Sequence, residues 1–284
     1  MSINTIVLTL ILFVLAAGKF LAPTETIRNF FRQILAGIAE VWIAVNNVLL
    51  SFTGKTRWDV EIPHGLDRKG CYLVNSNHRS WVDILVLQRC FNRRLPLLRF
   101  FLKSQLIWVP FLGVAWWALD FPFMQRMSKE KRSRRPDLKG RDLENARKAC
   151  EKFRNIPVAM MNFPEGTRFS IEKRDAGQSS YQNLLTPRIG GVGQVLFALA
   201  DQLDAAIDVT IVYPRDGQST IAPTFWQLLT GQLPDIIVRA KQLVIPAHLL
   251  GRNFRTDAEF RQDLESWVSG LWQEKDAQIQ SFQM

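Results

Sequence analysis

Apolar and polar positions divide this chain into three parts with different patterns. Two long apolar stretches fill the first 52 residues. From about residue 58 onward, short apolar runs alternate with segments of helical period, and a last helical pattern precedes a polar tail. The pattern predicts N-terminal helices over residues 1–52, an α/β domain over 53–250, and a C-terminal helix with a polar tail over 251–284.

The first apolar stretch covers residues 3–17 and predicts a helix that associates with a membrane. It is short for a full span of about 20 residues, although residues 20–22 extend it. A signal peptide is the alternative, but no Lys or Arg precedes the stretch and no small-x-small cleavage site follows it. The first basic residues all follow the stretch: Lys19, Arg28 and Arg32. By the positive-inside rule, the sequence predicts a retained anchor and a cytoplasmic domain after it.

A second apolar helix is predicted over residues 30–52. Its polar residues Gln33, Glu40 and Asn47 recur every seven positions, which is about two helical turns, so they share one face. Such a stripe is not typical of a helix surrounded by lipid. The pattern favours a helix that lies in the membrane interface or packs against the first one. An ordinary amphipathic core helix is the alternative.

The middle of the chain alternates between predicted strands and predicted helices. The strands are expected at residues 71–75, 120–124, 157–163, 206–213 and 236–245. The helices are expected at residues 80–91, 141–154 and 191–203. Residues 256–259 fit a capping box before a last helix, whose predicted inner face is Phe260, Leu264, Trp267 and Leu271. The predicted fold is α/β, a mixed, largely parallel sheet flanked by helices, with an N-terminal membrane-associated helical hairpin.

Composition and charge add a class of partner to this picture. The chain has a formal net charge of +10 and is 47% hydrophobic, with nine Trp and nineteen Phe. A basic, apolar and aromatic-rich chain fits an anionic membrane surface or a nucleic acid. No helix-turn-helix, RNA-binding signature or zinc finger accompanies the charge. The sequence therefore favours the anionic membrane surface and predicts no nucleic-acid partner.

The most biased stretch is residues 126–141, with eight basic and two acidic side chains. A solvated surface loop is one interpretation of such a stretch. Electrostatic docking to anionic lipid headgroups, or to an acidic substrate, is the other.

The three cysteines exclude two further classes of protein. Cys71, Cys90 and Cys150 are odd in number and widely spaced, and none belongs to a C-x-x-C pair. Neither a disulfide framework nor a zinc site is predicted, and a reducing compartment is the simplest interpretation.

The first candidate motif is N-H-R-S-W-V-D at residues 77–83, between a short apolar run and a helical pattern. His78 and Asp83 can converge at this strand-to-helix turn. A histidine with a carboxylate that orients it forms a general base, and no serine or cysteine nucleophile is then needed. The chain has only three histidines, so few other bases compete. The spacing of Ser80 and Asp83 also fits a capping box, in which Asp83 would only close a helix end.

The second motif is F-P-E-G-T-R at residues 163–168, directly after a predicted strand. It places a rigid turn, the carboxylate of Glu165, the hydroxyl of Thr167 and the guanidinium of Arg168 at one edge of the sheet. A guanidinium is suited to bidentate recognition of phosphate. As an isolated hexamer, the motif also fits a turn with a local pair between Glu165 and Arg168.

Together the two motifs resemble those of the glycerolipid acyltransferase family, which includes the 1-acylglycerol-3-phosphate acyltransferases. The family's N-H-x-S-x-x-D is matched at residues 77–83, and its F-P-E-G-T-R is matched without change. Between these motifs, Lys103, Pro110 and the F-x-x-R of residues 123–126 match the family's intervening positions. The resemblance spans about residues 58–246.

The chain departs from the family pattern at two other motifs. Residues 119–126 lack the glycine of the family's second motif, and residues 209–214 only approximate the fourth. The D-F-P-F form of residues 120–123, together with Phe225 and Trp226, is similar to the branch of lysocardiolipin and lysophosphatidylinositol acyltransferases and their bacterial relatives. These departures concern the acceptor headgroup and leave the implied chemistry intact.

The resemblance implies a role for each matched residue. His78 takes the proton from the acceptor hydroxyl, and Asp83 fixes the imidazole tautomer and stabilises the imidazolium. The acceptor oxygen then attacks a thioester carbonyl directly, without an acyl-enzyme, and backbone N–H groups of residues 164–166 are candidates for the oxyanion site. The residues implied in substrate binding are Lys103, Arg126, Glu165, Gly166, Thr167 and Arg168. No metal or other cofactor is implied.

The implied reaction moves an acyl chain from acyl-CoA or acyl-carrier protein to the free hydroxyl of a lysophospholipid. The favoured acceptor is 1-acylglycerol-3-phosphate, which gives phosphatidic acid. The implied location is the bacterial inner membrane, with the catalytic domain facing the cytoplasm. Two alternatives stay open, namely a non-catalytic basic membrane-binding protein on the same scaffold and an acyl-thioester hydrolase.

Overall fold

The structure is a computed structural model, and the residues it describes are 2–53, 55–124, 148, 150, 152–154, 156–214, 222–254 and 256–282. Three features predicted from the sequence fall wholly or largely outside this part of the chain. They are Arg126, the basic stretch 126–141 and most of the helix predicted at residues 141–154.

The chain begins with two helices, α1 (Ser2–Leu21) and α2 (Glu25–Thr53), which pack against each other as a hairpin. Pro23 lies between them, and its missing N–H and fixed φ favour a break there. Thr24 then caps α2, because its hydroxyl accepts a hydrogen bond from the Ile27 N–H at 3.3 Å. Both predicted N-terminal helices are confirmed, and α2 begins five residues before its predicted start.

The hairpin has an apolar outer surface. By length and composition, each of its helices is able to cross a membrane. Large apolar side chains are exposed along both helices: Ile3, Phe13, Val14, Phe20, Leu21, Phe30, Val48 and Phe52. Exposed apolar surface on this scale suggests membrane association.

The inner side of the hairpin packs on the rest of the protein. Leu12 of α1 and Leu35 of α2 are buried in the same apolar core as the sheet. Lys19 joins the hairpin to the domain, since its Nζ donates to Asp120 Oδ2 at 2.9 Å and to the Ala118 carbonyl at 2.7 Å. Of the predicted polar stripe, Glu40 forms an ion pair with Arg68 at 2.7 Å. Between the two helices, the Asn4 side chain donates to Asn46 Oδ1 at 3.0 Å. The second helix thus packs against the first, which is one of the predicted arrangements.

The main domain is built on a six-stranded sheet and a two-stranded ribbon. The strands in chain order are β1 (Arg57–Glu61), β2 (Cys71–Ser76), β3 (Leu98–Phe100), β4 (Leu102–Lys103), β5 (Phe123–Met124), β6 (Val158–Asn162), β7 (Ala205–Val212) and β8 (Asp235–Leu243). The order in the main sheet is β1-β8-β7-β2-β6-β3. Strands β7, β2, β6 and β3 are mutually parallel, whereas β8 pairs with β7 in the antiparallel direction and β1 runs parallel to β8. The predicted mixed, largely parallel sheet is confirmed.

One predicted strand was wrong in extent and in partner. Residues 120–124 do not join the main sheet, and only β5 at their end is extended, paired in parallel with β4. Asp120 has φ 59, a left-handed value that breaks a strand. Pro122 has no N–H for a ladder hydrogen bond. Strands β1 and β3 were missed, because β1 is an exposed edge strand and β3 has three residues.

Helices cover both faces of the sheet. Those after the hairpin whose full extent lies among the described residues are α3 (Val82–Phe91), α4 (Leu112–Ala118), α5 (Ile171–Ala176), α6 (Gly190–Ala198), α7 (Phe225–Leu229) and α8 (Ala258–Ser281). The helix predicted at residues 191–203 ends earlier than expected, at Ala198, and a short 3-10 turn (Ala200–Gln202) follows it.

The start and inner face of α8 differ from the prediction. Asp257 is the N-cap and accepts a hydrogen bond from the Phe260 N–H at 2.9 Å, one residue later than the predicted capping box begins. Arg252, five residues before it, pairs with that carboxylate at 2.7 Å. The buried face consists of Phe260, Leu264, Val268, Trp272, Lys275 and Ile279. The predicted Trp267 and Leu271 are half-buried at its margin.

The sheet separates two apolar cores. Alternate residues of β2 point to opposite faces, so Tyr72 and Val74 join the core under the hairpin and Leu73 joins the core under α6 and α8. In the second core, the Lys275 ammonium is fully buried and pairs with Asp208 at 2.8 Å. It also donates to the Val209 carbonyl at 2.6 Å. Helix α8 is thus tied to the middle of β7, which fixes the strand that ends beside the site.

Candidate active site

The predicted motifs meet because four strands of the sheet are parallel. The carboxyl ends of β2, β6, β3 and β7 lie at one edge, and in open α/β sheets ligands bind outside such an edge. Residues 77–83 follow β2, and residues 163–168 follow β6. Asn77 fastens the first turn to β7, since its side chain accepts from the Ile211 N–H and donates to the Ile211 carbonyl, both at 2.8 Å. The edge therefore holds the two motifs at fixed positions.

His78 and Asp83 form a hydrogen-bonded pair. The distance from His78 Nδ1 to Asp83 Oδ2 is 2.8 Å, and the Asp83 side chain is fully buried. A carboxylate beside Nδ1 favours the tautomer with its proton on Nδ1, which leaves Nε2 as the acceptor. His78 lines a cavity at the sheet edge, and its side chain is 15% exposed. The two residues proposed as a general base and its orienting group are brought together.

Asp83 also carries out part of the alternative capping role. Its Oδ2 accepts hydrogen bonds from the backbone N–H groups of Arg79 at 2.6 Å and Ser80 at 2.9 Å. The Ser80 hydroxyl accepts from the Val82 N–H at 2.8 Å. The start of α3 and the orientation of His78 therefore depend on the same carboxylate.

Tyr213 is a third residue that contacts the pair of His78 and Asp83, and the sequence analysis did not assign it to the site. Its hydroxyl donates to Asp83 Oδ1 at 2.6 Å, and the side chain is fully buried. Burial, with the neighbouring Asp83 carboxylate, holds the pKa of Tyr213 well above its ordinary value, so the phenol stays a donor. The signal in the sequence was its position, directly after β7 at the edge where the motifs meet.

Phe163 fixes the plane of the imidazole. The rings of His78 and Phe163 stack with centroids 4.0 Å apart and an interplanar angle of 17°. Because Phe163 opens the second motif, this contact joins the two motifs through their side chains as well as through the sheet.

Glu165 lies behind the cavity wall, where it holds backbone. Its carboxylate is 1% exposed, and it accepts hydrogen bonds from the His78 N–H at 2.6 Å and from the Leu185 N–H at 3.0 Å. Burial raises the pKa of Glu165 to about 7 from its ordinary 4.5. The structure therefore places this predicted substrate-binding residue where it positions the backbone of His78.

The other described members of the predicted substrate site surround a cavity of about 270 Å³. The predicted site residues that line it are His78, Lys103, Gly166, Thr167 and Arg168. Arg168 is exposed, and its guanidinium lies 5.6 Å from the centroid of the Trp81 ring. Lys173, which the sequence did not single out, adds a cation next to this wall and donates to Thr167 Oγ1 at 3.1 Å. The cavity thus has a base on one side and cations on another.

Gly166 permits the turn of the second motif. Its φ is +67°, a conformation that side chains rarely adopt, and an added Cβ would lie 3.0 Å from Arg188 Cδ. The Gly166 N–H donates to the Phe163 carbonyl at 2.9 Å, and Pro164 has no N–H. Of the backbone groups predicted as oxyanion donors, those two are therefore not the candidates, and the Glu165 N–H is the one that remains.

An apolar cavity of about 320 Å³ adjoins the site. It lies between the hairpin and helices α3 and α4, and it shares Trp81 and Ile84 with the cavity that holds His78. Its walls are mainly apolar, with Leu12, Ile43 and Leu85 among them. The two cavities therefore share part of one wall, and the one beyond Trp81 is suited to apolar groups.

Comparison with known proteins places the chain in a family. The sequence profile of the family described as Acyltransferase matches residues 57–212, more than half of the chain, and this range contains both motifs. The chain belongs to the Acyltransferase family. The family resemblance predicted from the motifs is confirmed.

Individual relatives add detail. Lysocardiolipin acyltransferase 1 of Mus musculus is 28% identical over 226 residues, covering 74% of this chain and 54% of the mouse protein. The 1-acyl-sn-glycerol-3-phosphate acyltransferase 3 of Arabidopsis thaliana is 24% identical over 281 residues, covering 90% of this chain and 66% of the plant protein. The chain thus spans about half to two thirds of these relatives. The crystal structure of the 1-acyl-sn-glycerophosphate (LPA) acyltransferase PlsC from Thermotoga maritima aligns with a TM-score of 0.46 at 17% identity, covering 96% of this chain and 97% of that one.

The raised pKa of Glu165 predicts a pH dependence of stability. Between pH 4.5 and about 7 the folded protein keeps a proton on Glu165 that the unfolded chain has lost. The free energy of unfolding should therefore fall as pH rises through this window. In Glu165→Gln this contribution should be absent, so the difference between wild type and variant should change with pH.

Thermal or denaturant unfolding in uncharged detergent at several pH values from 4.5 to 8 would measure that difference. Glu274→Gln is the control, because this glutamate on α8 is exposed. A wild-type profile parallel to that of Glu165→Gln over the whole range would contradict the prediction.

Proposed function

We propose that this protein transfers an acyl chain from a thioester to the free hydroxyl of a lysophospholipid, with 1-acylglycerol-3-phosphate as acceptor and phosphatidic acid as product. The observation that carries the proposal is the 2.8 Å pair of His78 and Asp83 at a cavity that Arg168 and Lys103 also line. A base for a hydroxyl and cations for a phosphate are the two groups this acceptor requires. The donor is acyl-CoA or acyl-carrier protein, and membership of the family supports the reaction class.

The chemistry is a single displacement at the thioester carbonyl. His78 Nε2 takes the proton of the acceptor hydroxyl as the oxygen attacks the carbonyl carbon. Asp83 stabilises the imidazolium that forms. When the C–S bond breaks, the imidazolium returns the proton to the leaving thiolate. All three cysteines are buried, so no thiol of the chain is placed to form an acyl-enzyme.

Arg168 is the proposed anchor of the acceptor phosphate. Its guanidinium is exposed at the cavity and can bind phosphate oxygens with two parallel N–H donors. Lys103 and Lys173 supply further positive charge. The phosphate role predicted for Arg126 stays a prediction, since that residue is outside the described part of the chain.

The apolar cavity beside Trp81 is the proposed place for an acyl chain. Its lining is mostly apolar. Burying an acyl chain there takes its methylenes out of water, which stabilises the bound state by about 0.8 kcal/mol for each methylene. The hairpin forms one wall and carries exposed apolar side chains on its other side. This arrangement supports the proposal that the enzyme works at a membrane, and the predicted setting is the bacterial inner membrane with the domain on the cytoplasmic side.

The decisive test is acceptor-dependent release of thiol from acyl-CoA and from acyl-carrier protein, measured with and without 1-acylglycerol-3-phosphate. His78→Ala should lower the rate by about 10²–10⁴-fold, the usual contribution of a general base. His248→Ala is the matched control, because this histidine is exposed and lies outside the cavity.

Each other outcome of that assay assigns a different function. Thiol release that does not require the acceptor would identify a thioester hydrolase. No release with either donor across a panel of lysophospholipids, from protein that still binds anionic vesicles, would support a non-catalytic membrane-binding protein.

Arg168→Lys tests the phosphate site. A point charge replaces a planar fork, so the KM for 1-acylglycerol-3-phosphate should rise about tenfold while the KM for the acyl donor changes little. Arg174→Lys on α5 is the control, because that arginine pairs with Asp175 away from the cavity. An equal rise in both KM values would count against a headgroup role for Arg168.

Tyr213→Phe tests the support of the catalytic pair. It removes a hydrogen bond to a charged group, worth about 1.5–3 kcal/mol, so kcat should fall at least tenfold while the KM values stay within about twofold. Tyr72→Phe is the control. The Tyr72 hydroxyl accepts a hydrogen bond from the Asp67 N–H at 3.0 Å, and Asp67 precedes β2, at the opposite edge of the sheet. Unchanged kcat in Tyr213→Phe would show that His78 and Asp83 need no such support.

A further inference from the structure

A second large polar cavity lies at the opposite edge of the sheet from His78. Lys69 precedes β2, Leu97 precedes β3 and Pro157 precedes β6, and all three line an open cavity of about 680 Å³. Because these strands are parallel, their amino ends meet here as their carboxyl ends meet at the active site. The six residues of β2 put about 16 Å between the two edges. The cavity is therefore separate from the proposed catalytic site.

Positive charge dominates the lining of this cavity. Five cations face two carboxylates: Arg32, Arg68, Lys69, Arg93 and Arg99 against Glu40 and Asp67. Both carboxylates are already engaged. Glu40 pairs with Arg68 at 2.7 Å, and Asp67 Oδ1 accepts from the backbone N–H of Lys69 at 2.8 Å. Arg32 is engaged as well, with Glu25 at 3.2 Å and Asp120 at 3.5 Å. The surplus positive charge of this concave site therefore comes from Lys69, Arg93 and Arg99, and it favours an anionic ligand.

Arg99 is the buried member of this set. Its side chain is 4% exposed, its Nε donates to the Leu119 carbonyl at 3.0 Å, and its guanidinium lies 4.9 Å from the centroid of the Phe153 ring. Burial lowers the pKa of Arg99 to about 10, so it stays charged at neutral pH. Within the described part of the chain, no carboxylate forms an ion pair with it. The charge of Asp120 acts on Arg99 from farther away, but Asp120 already pairs with Lys19 at 2.9 Å and with Arg32 at 3.5 Å. One carboxylate thus serves three cations, and an anion in the cavity would offset the cost of burying Arg99.

We propose that this cavity binds the phosphate group of an anionic phospholipid that is neither substrate nor product. Helix α2 forms one wall, from Asn29 to Glu40. On the same part of the hairpin, Ile27 and Phe30 are exposed, and so are Phe20 and Leu21 at the end of α1. With these apolar side chains in the bilayer, the cavity lies at the level of the headgroups. The occupied site anchors the amino edge of the sheet to the membrane while the carboxyl edge carries out the chemistry.

The double variant Lys69→Ala/Arg93→Asn removes two accessible cations and leaves the buried Arg99 in place. Asn is the replacement for Arg93 because that residue has φ 62, and Asn tolerates the left-handed region better than most side chains. The matched control is Arg57→Ala/Lys241→Ala, with the same loss of net charge. Arg57 and Lys241 lie on β1 and β8, at the other end of the sheet order from β3.

The experiment is isothermal titration of the full chain in uncharged detergent with short-chain, soluble dihexanoylphosphatidylglycerol. We expect one saturable site, weakened at least tenfold in Lys69→Ala/Arg93→Asn. The control pair should bind within about twofold of wild type, and so should His78→Ala, which tests separation from the catalytic cavity. Circular dichroism melting of each variant confirms that it is folded.

Two further titrations identify the source of the phosphate. Dihexanoylphosphatidylcholine should bind at least tenfold more weakly, since it has no net charge, and inorganic phosphate should bind more weakly because it lacks the apolar part. Inorganic phosphate that binds as tightly as the lipid would assign the cavity to soluble anions and overturn the proposal. Absence of a saturable site, an equal loss in the control pair, or a loss in His78→Ala would overturn it as well.

Discussion

The site depends on how one buried carboxylate is satisfied. Asp83 has no access to water, and four donors converge on its two oxygens: the His78 imidazole, the Arg79 and Ser80 N–H groups, and the Tyr213 hydroxyl. A buried charge is tolerated only with such partners, so the fold is constrained to bring two segments, the turn after β2 and the residue after β7, to one point. Folding and the proposed catalysis thus place the same requirement on this chain, because the contacts that stabilise the buried Asp83 carboxylate are those that orient His78.

The direction of the strands determines where the other residues of the site lie. Parallel strands put every backbone turn that follows a strand at one edge, where short polar segments can approach each other without long loops. The second motif uses this edge in two ways. Phe163 and Glu165 turn inward to hold the imidazole ring and its backbone, while Arg168 turns outward. One hexamer therefore contains both the support for His78, the proposed base, and the group proposed to bind the substrate.

Much of this could be predicted from the sequence, and the misses have two causes. The strands at residues 71–76 and 205–212, the hairpin and the meeting of the two motifs follow from local periodicity and from the rule that parallel strands share an edge. Tyr213 and Glu165 were assigned no role or a different one, because their partners lie 130 and 87 residues away in the chain. The strand expected at residues 120–124 is limited to residues 123–124, because an apolar run carries no information on a left-handed turn such as that of Asp120.

Lys19 of the hairpin donates hydrogen bonds to Asp120 and to the Ala118 carbonyl. These contacts bear on whether the N-terminal helices and the α/β part of the chain are separate domains. A tether to a membrane needs only to be apolar and long enough, and it can be exchanged for another of the same length. This hairpin instead shares a core with the sheet and closes a cavity beside the site. The boundary near residue 52, clear in the amino-acid pattern, is therefore not a boundary of the folded interior. Substitutions on the exposed apolar face of the two helices and substitutions on the face that closes the proposed acyl-chain cavity therefore change different properties of the same hairpin.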